Sequence, residues 1–468
     1  MSIVLYSLMF KLFPNSFTFV IVITIFIINL ALHLYSLGKV VYPIADEGVY
    51  LYSAKLISEG YIPYKDFFLA HPFYLLLPVS IILVITNFDI NIFHVIYTAW
   101  VFSAIIPLFF ISYKLTNSKF ASIMSLVIFS TFTQLIVTDT RFFALRAASQ
   151  PILAWSLFFI FVKSKLKVAG LTLGIFALSL VQNIFLAFTF IFSLILFEYI
   201  KLESIKSTLI TYSNLLKFFL LIFFTGYLVI LMIPNGLENT FNYQIIRPYT
   251  PYQARLESLI FPILPNDLPI ILTGLGGSVL AFFLKKPIGL FNFLGVIVTV
   301  FFGSAFYYHY LTILASGFAI ASAFFFSYFN RNFIFNIIRV LIVGALIYYS
   351  NLGNLKFYLI DAKTPEFFGA VQVLKDTYKP PLFTFDPIYG LYSKMDLTFH
   401  YYAADMRYFW VLDENLKEEK YWEIIKKSNT ISFEPLNYHK IPQSVKRSIE
   451  LNFNIAYKDK TYIVYVRK

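Results

Sequence analysis

The sequence predicts a polytopic α-helical membrane protein with a small water-soluble α/β domain at its C-terminus. Three observations predict it: the bulk composition, the recurrence of long apolar runs, and a sharp change in composition near Asp361. Of 468 residues, 59% are apolar, 20% aromatic and 13% charged, with a mean hydropathy of +0.73. A soluble globular chain is roughly half apolar and a quarter charged. Apolar runs of about twenty residues, the length that crosses a bilayer, recur through the first three quarters. From Asp361 onward, 30 of 108 residues are charged.

The net charge of +12 raises the question of a nucleic-acid partner, and its location answers it. Residues 1–360 hold 21 Lys and Arg against 11 Asp and Glu, whereas residues 361–468 hold 16 against 14. Almost all the excess therefore lies in short loops between apolar runs. The positive-inside rule produces that pattern, so the bilayer is the expected partner and no nucleic acid is needed. The chain has no cysteine, which excludes disulfide scaffolds and thiolate metal sites.

The first run, Phe17–Leu37, is too long for a signal-peptide core and lacks a small-residue cleavage site, so it reads as a retained span. Further runs fall near 91–113, 120–138, 150–162, 168–182, 184–199, 215–234, 267–284, 288–303, 311–328 and 337–354. Pro72–Thr86 is short and contains Pro72 and Pro78, as expected of an interfacial or re-entrant helix. With that segment non-spanning and the N-terminus cytoplasmic, the clusters Lys114/Lys119, Lys163/Lys165/Lys167, Lys201/Lys206, Lys285/Lys286 and Arg331/Arg339 all fall inside. The charge bias thus selects about eleven spans plus interfacial helices, in a multi-pass plasma-membrane protein whose C-terminal domain is extracytoplasmic. The division is a transmembrane domain over 1–354 and a soluble domain over 355–468.

The same threading puts nine of the 11 carboxylates before residue 361 on the outer side, leaving only Glu198 and Glu203 inside. Asp46, Glu47, Asp66, Asp139, Arg141 and His309 then share one face. The spans themselves carry almost no ionisable residue at membrane depth, which counts against an ion-coupled transporter. The Gln182-Asn183 turn is the main polar feature among them. In the C-terminal domain, Thr364-Pro365-Glu366 opens a helix running to about Tyr378. Leu382–Phe385 and Thr430–Phe433 read as short buried strands, Glu418–Ser428 and Pro442–Leu451 as helices. Asn454–Tyr457 and Thr461–Val466 read as a hairpin around Lys458-Asp459-Lys460. Gly276-Gly277 sits in an apolar run, and no nucleotide-phosphate loop occurs.

The chemistry-bearing segment is the first outer loop. It reads Ala45-Asp46-Glu47-Gly48-Val49-Tyr50, then Glu59-Gly60-Tyr61-Ile62-Pro63-Tyr64-Lys65-Asp66, then Ala70-His71-Pro72-Phe73. An acidic pair after the first span, a short amphipathic helix, Gly-x-x-Pro-Tyr, and a basic residue with Pro opening an interfacial helix resemble the GT-C glycosyltransferases. Within them, the segment resembles the branch of the protein O-mannosyltransferases and lipid A aminoarabinose transferases. Tyr307-Tyr308-His309-Tyr310-Leu311 is a second, weaker echo.

This resemblance implies a GT-C-like fold and an inverting, mannosyltransferase-like enzyme. Such an enzyme moves a sugar from a polyprenyl-phosphate donor to an acceptor: protein, lipid or glycan. A positioned carboxylate can take the proton of the acceptor hydroxyl, and cationic side chains can stabilise the departing phosphate. Single displacement needs one base and a cationic cradle rather than a second nucleophilic carboxylate.

Asp46 matches the family's catalytic acid and is the expected general base, with Glu47 in a supporting or acceptor-positioning role. The pair also reads as an N-terminal helix cap. His71 stands where the aminoarabinose transferases carry Lys before Pro-Pro, which makes it either a donor-phosphate ligand or a backbone-bonding interfacial His. Asp139, in Thr138-Asp139-Thr140-Arg141, is a candidate second active-site carboxylate, with Arg141 and Arg146 as candidate phosphate ligands. A structural salt bridge between loops is the competing account. Arg247 and Arg255 lie among Tyr243, Tyr249 and Tyr252 in the long loop 235–266, which suits either donor binding or interfacial anchoring. His309 is a further phosphate candidate, or a structural His in an aromatic belt.

Asp46, Glu47, Asp139 and His309 could form an oxygen-rich site for a divalent metal, although no ligand spacing compels one, and no other cofactor is implied. Two other readings compete. An oligosaccharide-transferring relative predicts a Trp-Trp-Asp triplet in the C-terminal domain, where only Trp410 and Trp422 occur. A lipid or sugar flippase or transporter predicts a polar path through the spans.

Overall fold

The computed structural model describes residues 16–36, 45–132, 135, 142–246, 250–258, 264–301, 308–328, 365–398, 401–405, 414–433, 441–459 and 462–468, with isolated positions between 337 and 348. The chain opens with α1 (Ser16–Ser36), which is apolar all round, and then α2 (Ala45–Ser58). α2 carries Asp46 and Glu47 in its first turn and Lys55 in its last, the arrangement that complements the helix dipole. It ends at Gly60, whose φ of +91° continues no helix. After a 3-10 turn over Phe73–Leu75 comes α3 (Leu76–Ile85). At about 15 Å it is half the hydrocarbon thickness, too short to cross.

The run expected at 91–113 is two helices, α4 (Ile90–Phe102) and α5 (Ile105–Thr116). Asp89 caps the first by accepting from the backbone N–H of Asn91 and Ile92. The break between them has a local cause. Pro107 has no N–H, and its ring crowds the carbonyl four residues earlier, at Ser103. Next come α6 (Lys119–Ser130), α7 (Leu145–Phe161), α8 (Leu166–Ala177) and α9 (Val181–Leu202). α7 starts five residues before the apolar run at 150–162, bringing Arg146 into its first turn.

One expectation needs correcting here. The turn between α8 and α9 lies at 178–180, with Leu180 extended. Gln182 and Asn183 therefore lie in the first turn of a helix that begins at Val181, not in a turn between helices. α10 (Ile205–Met232) begins ten residues before its apolar run because Ser204 caps it, accepting from the N–H of Ser207.

α11 (Gly236–Ile246), α12 (Tyr252–Ser258), α13 (Leu264–Phe283, kinked at Asp267) and α14 (Pro287–Phe301) follow. A 3-10 turn, Tyr308–Leu314, then leads into α15 (Ala315–Tyr328). Among the described residues five segments are long and apolar enough to cross a membrane: Phe17–Tyr35, Ile90–Thr116, Val181–Leu202, Ile205–Met232 and Tyr310–Tyr328. Six further apolar helices have 10–17 residues. The run expected at 337–354 falls almost wholly outside the described residues. Lys119, Lys163, Lys165, Lys206 and the pair Lys285/Lys286 all lie in or beside turns between consecutive helices.

Small residues let these helices approach closely. A Cβ on Gly277 of α13 would stand 1.9 Å from the carbonyl oxygen of Ala321 on α15, so only glycine fits. Amides tie helices together: Asn292 donates to Ser278 Oγ at 2.9 Å and to Gly317 O at 3.0 Å. Ser316 donates to Gln150 Oε1 at 2.9 Å, and Asn29 to Ser130 Oγ at 3.0 Å. These buried groups act as interhelical glue.

The C-terminal part holds α16 (Pro365–Thr377), β1 (Leu382–Thr384), α17 (Ile388–Ser393), α18 (Glu414–Lys427), β2 (Thr430–Phe433), α19 (Gln443–Asn452), β3 (Phe453–Lys458) and β4 (Ile463–Arg467). The strand order is β1-β2-β4-β3, with β1–β2 parallel and the other pairs antiparallel. Each element expected there is present, with α17 added. Alternate strand residues face two cores. Phe383, Ile431 and Tyr465 pack with Tyr421 and Ile449, whereas Leu382 and Val464, with Phe367 and Ile388, join the core that runs on into the membrane helices. The boundary expected at 354/355 lies outside the described residues.

Candidate active site

α2 organises the site because its residues face three surroundings. Glu47 points inward: it is 2% exposed and its Oε1 lies 2.7 Å from His94 Nε2 on α4. The same oxygen accepts from the N–H of Phe143 at 3.2 Å, pinning the entry to α7. A buried carboxylate held by two donors fixes the rotation of α2.

Gly48, Tyr52 and Lys55, at helical spacing, form the second face, against the C-terminal domain. A Cβ on Gly48 would meet Asp386 Oδ1 at 2.3 Å and Ile388 N at 2.7 Å, so the glycine lets the start of α17 rest on the helix. Tyr52 accepts from Leu397 N at 3.1 Å, and burial pushes its hydroxyl up to about 12. Lys55 bonds Glu59 at 2.5 Å and Asp396 at 2.9 Å. Burial pulls its ammonium down, but those two hydrogen bonds outweigh it and carry it up to about 12, so it stays charged at any working pH.

Asp46 belongs to the third face, which opens on a small, partly open cavity. Its walls include Asp46, Tyr50, His71, Arg146, Gln182, Tyr310 and Asp405. Arg146, largely buried in the first turn of α7, places a guanidinium nitrogen 3.6 Å from Asp46 Oδ2 and stacks over the Tyr310 ring at 5.2 Å. His71 is held by its backbone, whose carbonyl accepts from Tyr64 OH at 2.8 Å, and its ring tilts against Tyr50 at 6.0 Å. Asp405 arrives from the C-terminal domain. Its loop is laced to the first outer loop by Phe68 N donating to Tyr401 O at 2.7 Å and Tyr401 OH donating to Tyr64 O at 2.8 Å.

The structure thus gathers Asp46, His71 and Arg146 at one cavity and sets Glu47 behind it. Asp139, Arg141 and Arg247 lie outside the described residues, as does the side chain of His309, although its 3-10 turn contributes Tyr310. Arg255 is structural: it is fully buried and donates to the carbonyls of Thr250 at 2.7 Å and Val300 at 2.9 Å. Among the described residues no three His, Asp or Glu side chains group so as to hold a metal ion. His94, Gln182 and Asp405 were missed in sequence. None lies in the motif, and each reaches its place only through folding.

Nearly all of the chain matches solved structures. ArnT from Cupriavidus metallidurans in the apo state aligns with a TM-score of 0.65 at 11% identity, covering 95% of this chain and 97% of that one. The same protein bound to undecaprenyl phosphate aligns at 0.66 and 11% identity, covering 96% and 98%. The chain has the same fold as these two structures. No protein-family model matches the sequence, and no curated protein matches it by sequence. At this identity the shared feature is the fold, that of a multi-pass membrane protein, and the cavity is read on its own residues.

Proposed function

We propose that the protein is an inverting glycosyltransferase that moves a sugar from a polyprenyl-phosphate donor to an acceptor at the outer membrane face. The observation that carries this reading is the single cavity, in a GT-C fold, shared by the motif acid Asp46, the guanidinium of Arg146 and His71. The solved neighbour binds undecaprenyl phosphate, which supports a lipid-linked donor. The loop lysines favour a cytoplasmic N-terminus and an extracytoplasmic C-terminal domain.

In the reaction, Asp46 takes the proton of the acceptor hydroxyl as its oxygen bonds to the anomeric carbon. The bond from that carbon to the phosphate oxygen breaks, and its electron pair leaves with the polyprenyl phosphate. Arg146 and His71 receive the developing charge. The donor phosphate competes with Asp46 for Arg146, so donor binding frees the carboxylate to act as base. Asp139 as a second carboxylate, and Arg141, Arg247 and His309 as further phosphate ligands, belong to the same reading, as does a mannose-like sugar. The transporter alternative has less to rest on, because Asn292 and Gln150 tie helix to helix and Gln182 lines the cavity.

The test avoids the unknown acceptor. Detergent-purified protein is given radiolabelled polyprenyl-phospho-mannose or polyprenyl-phospho-glucose, and binding and slow sugar release are measured. Wild type should bind one saturably. Asp46→Asn should retain binding and release sugar roughly 100-fold or more slowly, the scale of a lost general base. Normal release by the variant would remove Asp46 from the chemistry, and no binding to either donor by folded protein would overturn the reading of the donor.

A further inference from the structure

Gln182 occupies a position that the motif does not explain. It lies in the first turn of α9 and lines the same cavity as Asp46 and Arg146. Its Oε1 is buried with no hydrogen-bond partner. A buried amide oxygen without a partner costs about 1–3 kcal/mol, and such groups are rare enough in folded proteins to need a reason. Its neighbour Asn183 also has an unpartnered Oδ1, but its amide nitrogen donates to Ser179 Oγ at 2.8 Å and it does not line the cavity, whereas Gln182 does. Nothing in the helix forces Gln182 to be polar either, since Leu180 and Val49, both apolar, line the same cavity.

We propose that Gln182 is a specificity-determining residue whose side-chain carbonyl accepts a hydrogen bond from a hydroxyl of the donor sugar. The inference rests on the glycosyltransferase reading. A donor whose phosphate meets Arg146, and whose anomeric carbon lies within reach of an acceptor held by Asp46, places its sugar ring in this cavity. A sugar hydroxyl is both small enough to fit and a donor, which the orphaned oxygen needs. A site that hydrogen-bonds a hydroxyl rejects the analogue lacking it, because the site is then left unpaired.

The experiment compares wild type with Gln182→Met, nearly equal in volume and without the acceptor. It measures affinity for the polyprenyl-phosphosugar, affinity for bare polyprenyl phosphate, and Tm. The expected result is an affinity for the sugar-bearing lipid about tenfold weaker, the scale of one hydrogen bond. Affinity for the bare lipid phosphate should be unchanged, and Tm equal to or above that of wild type. Equal affinity of wild type and variant for the sugar donor would overturn the proposal, as would a fall in Tm with both lipids weakened in parallel, which marks a structural residue. Arg146→Ala separates the two claims. If wild type binds both lipids and Arg146→Ala weakens both, the glycosyltransferase reading stands whatever Gln182→Met does. Failure of wild type to bind either lipid sinks that reading first.

Discussion

The cavity face of α2 and its two packed faces point to different sides of the helix and are built on opposite terms. On the two packed faces the polar groups are bonded to protein: Glu47 on the inward face to His94 and Phe143, and on the docking face Tyr52 to Leu397 and Lys55 to Glu59 and Asp396. On the cavity side, Asp46, Arg146 and His71 line open volume, and Gln182 has an unmatched acceptor. The first arrangement confers stability and a fixed helix rotation, whereas the second places polar groups on a cavity wall. Changes on the packed faces should therefore appear first in stability, and cavity-face changes first in binding or turnover.

The largest test of that contrast is His94→Phe. It leaves the Glu47 carboxylate buried without its side-chain partner, at a cost of about 3 kcal/mol or more. Thermal unfolding in detergent should show a clearly lowered Tm. The double variant Glu47→Met/His94→Phe should recover much of the loss, because an apolar pair replaces a buried polar one with little penalty. A double variant as unstable as the single one would mean that the pair does more than neutralise itself.

Gly48→Ala ranks second. The added methyl meets Asp386 and backbone at Ile388, so the C-terminal domain must shift on α2. Faster hydrogen exchange is expected over 388–397, with sugar release slowed because Asp405 moves with the domain. Unchanged exchange would show that the contact yields without cost. The smallest effect belongs to Lys55→Ala. Asp396 is largely solvent-exposed, and such pairs contribute about 1 kcal/mol or less. Tm and donor affinity should stay near wild type, and a large fall in either would make this ion pair a principal clasp.

Much of the molecule was legible in its sequence for local reasons. Apolar periodicity and length marked the membrane helices, Pro365 and its flanking residues marked α16, and alternation around a polar turn marked the β3–β4 hairpin. Asp46 and His71 stood out because the first-loop motif is contiguous, so its spacing survives in one dimension. Gln182 was misread as part of a turn because polarity between two apolar runs looks the same whether the chain reverses there or a helix begins. The parallel β1–β2 pair was not legible, since more than forty residues intervene and no local rule ties them.

The sequence by itself determined the class of protein, the apolar scaffold, and which acid pair lies beside a membrane helix, because burial of apolar surface and helix-end chemistry act locally. Only the tertiary structure decided that the adjacent acids Asp46 and Glu47 have different surroundings, one on a cavity and one behind it against His94. It alone brought Arg146, Gln182 and Asp405, from a helix start, another helix start and a separate domain, to the same cavity. The physical reason is that α2 is a rigid helix: consecutive residues on it point about 100° apart, so neighbours in sequence part company and strangers meet.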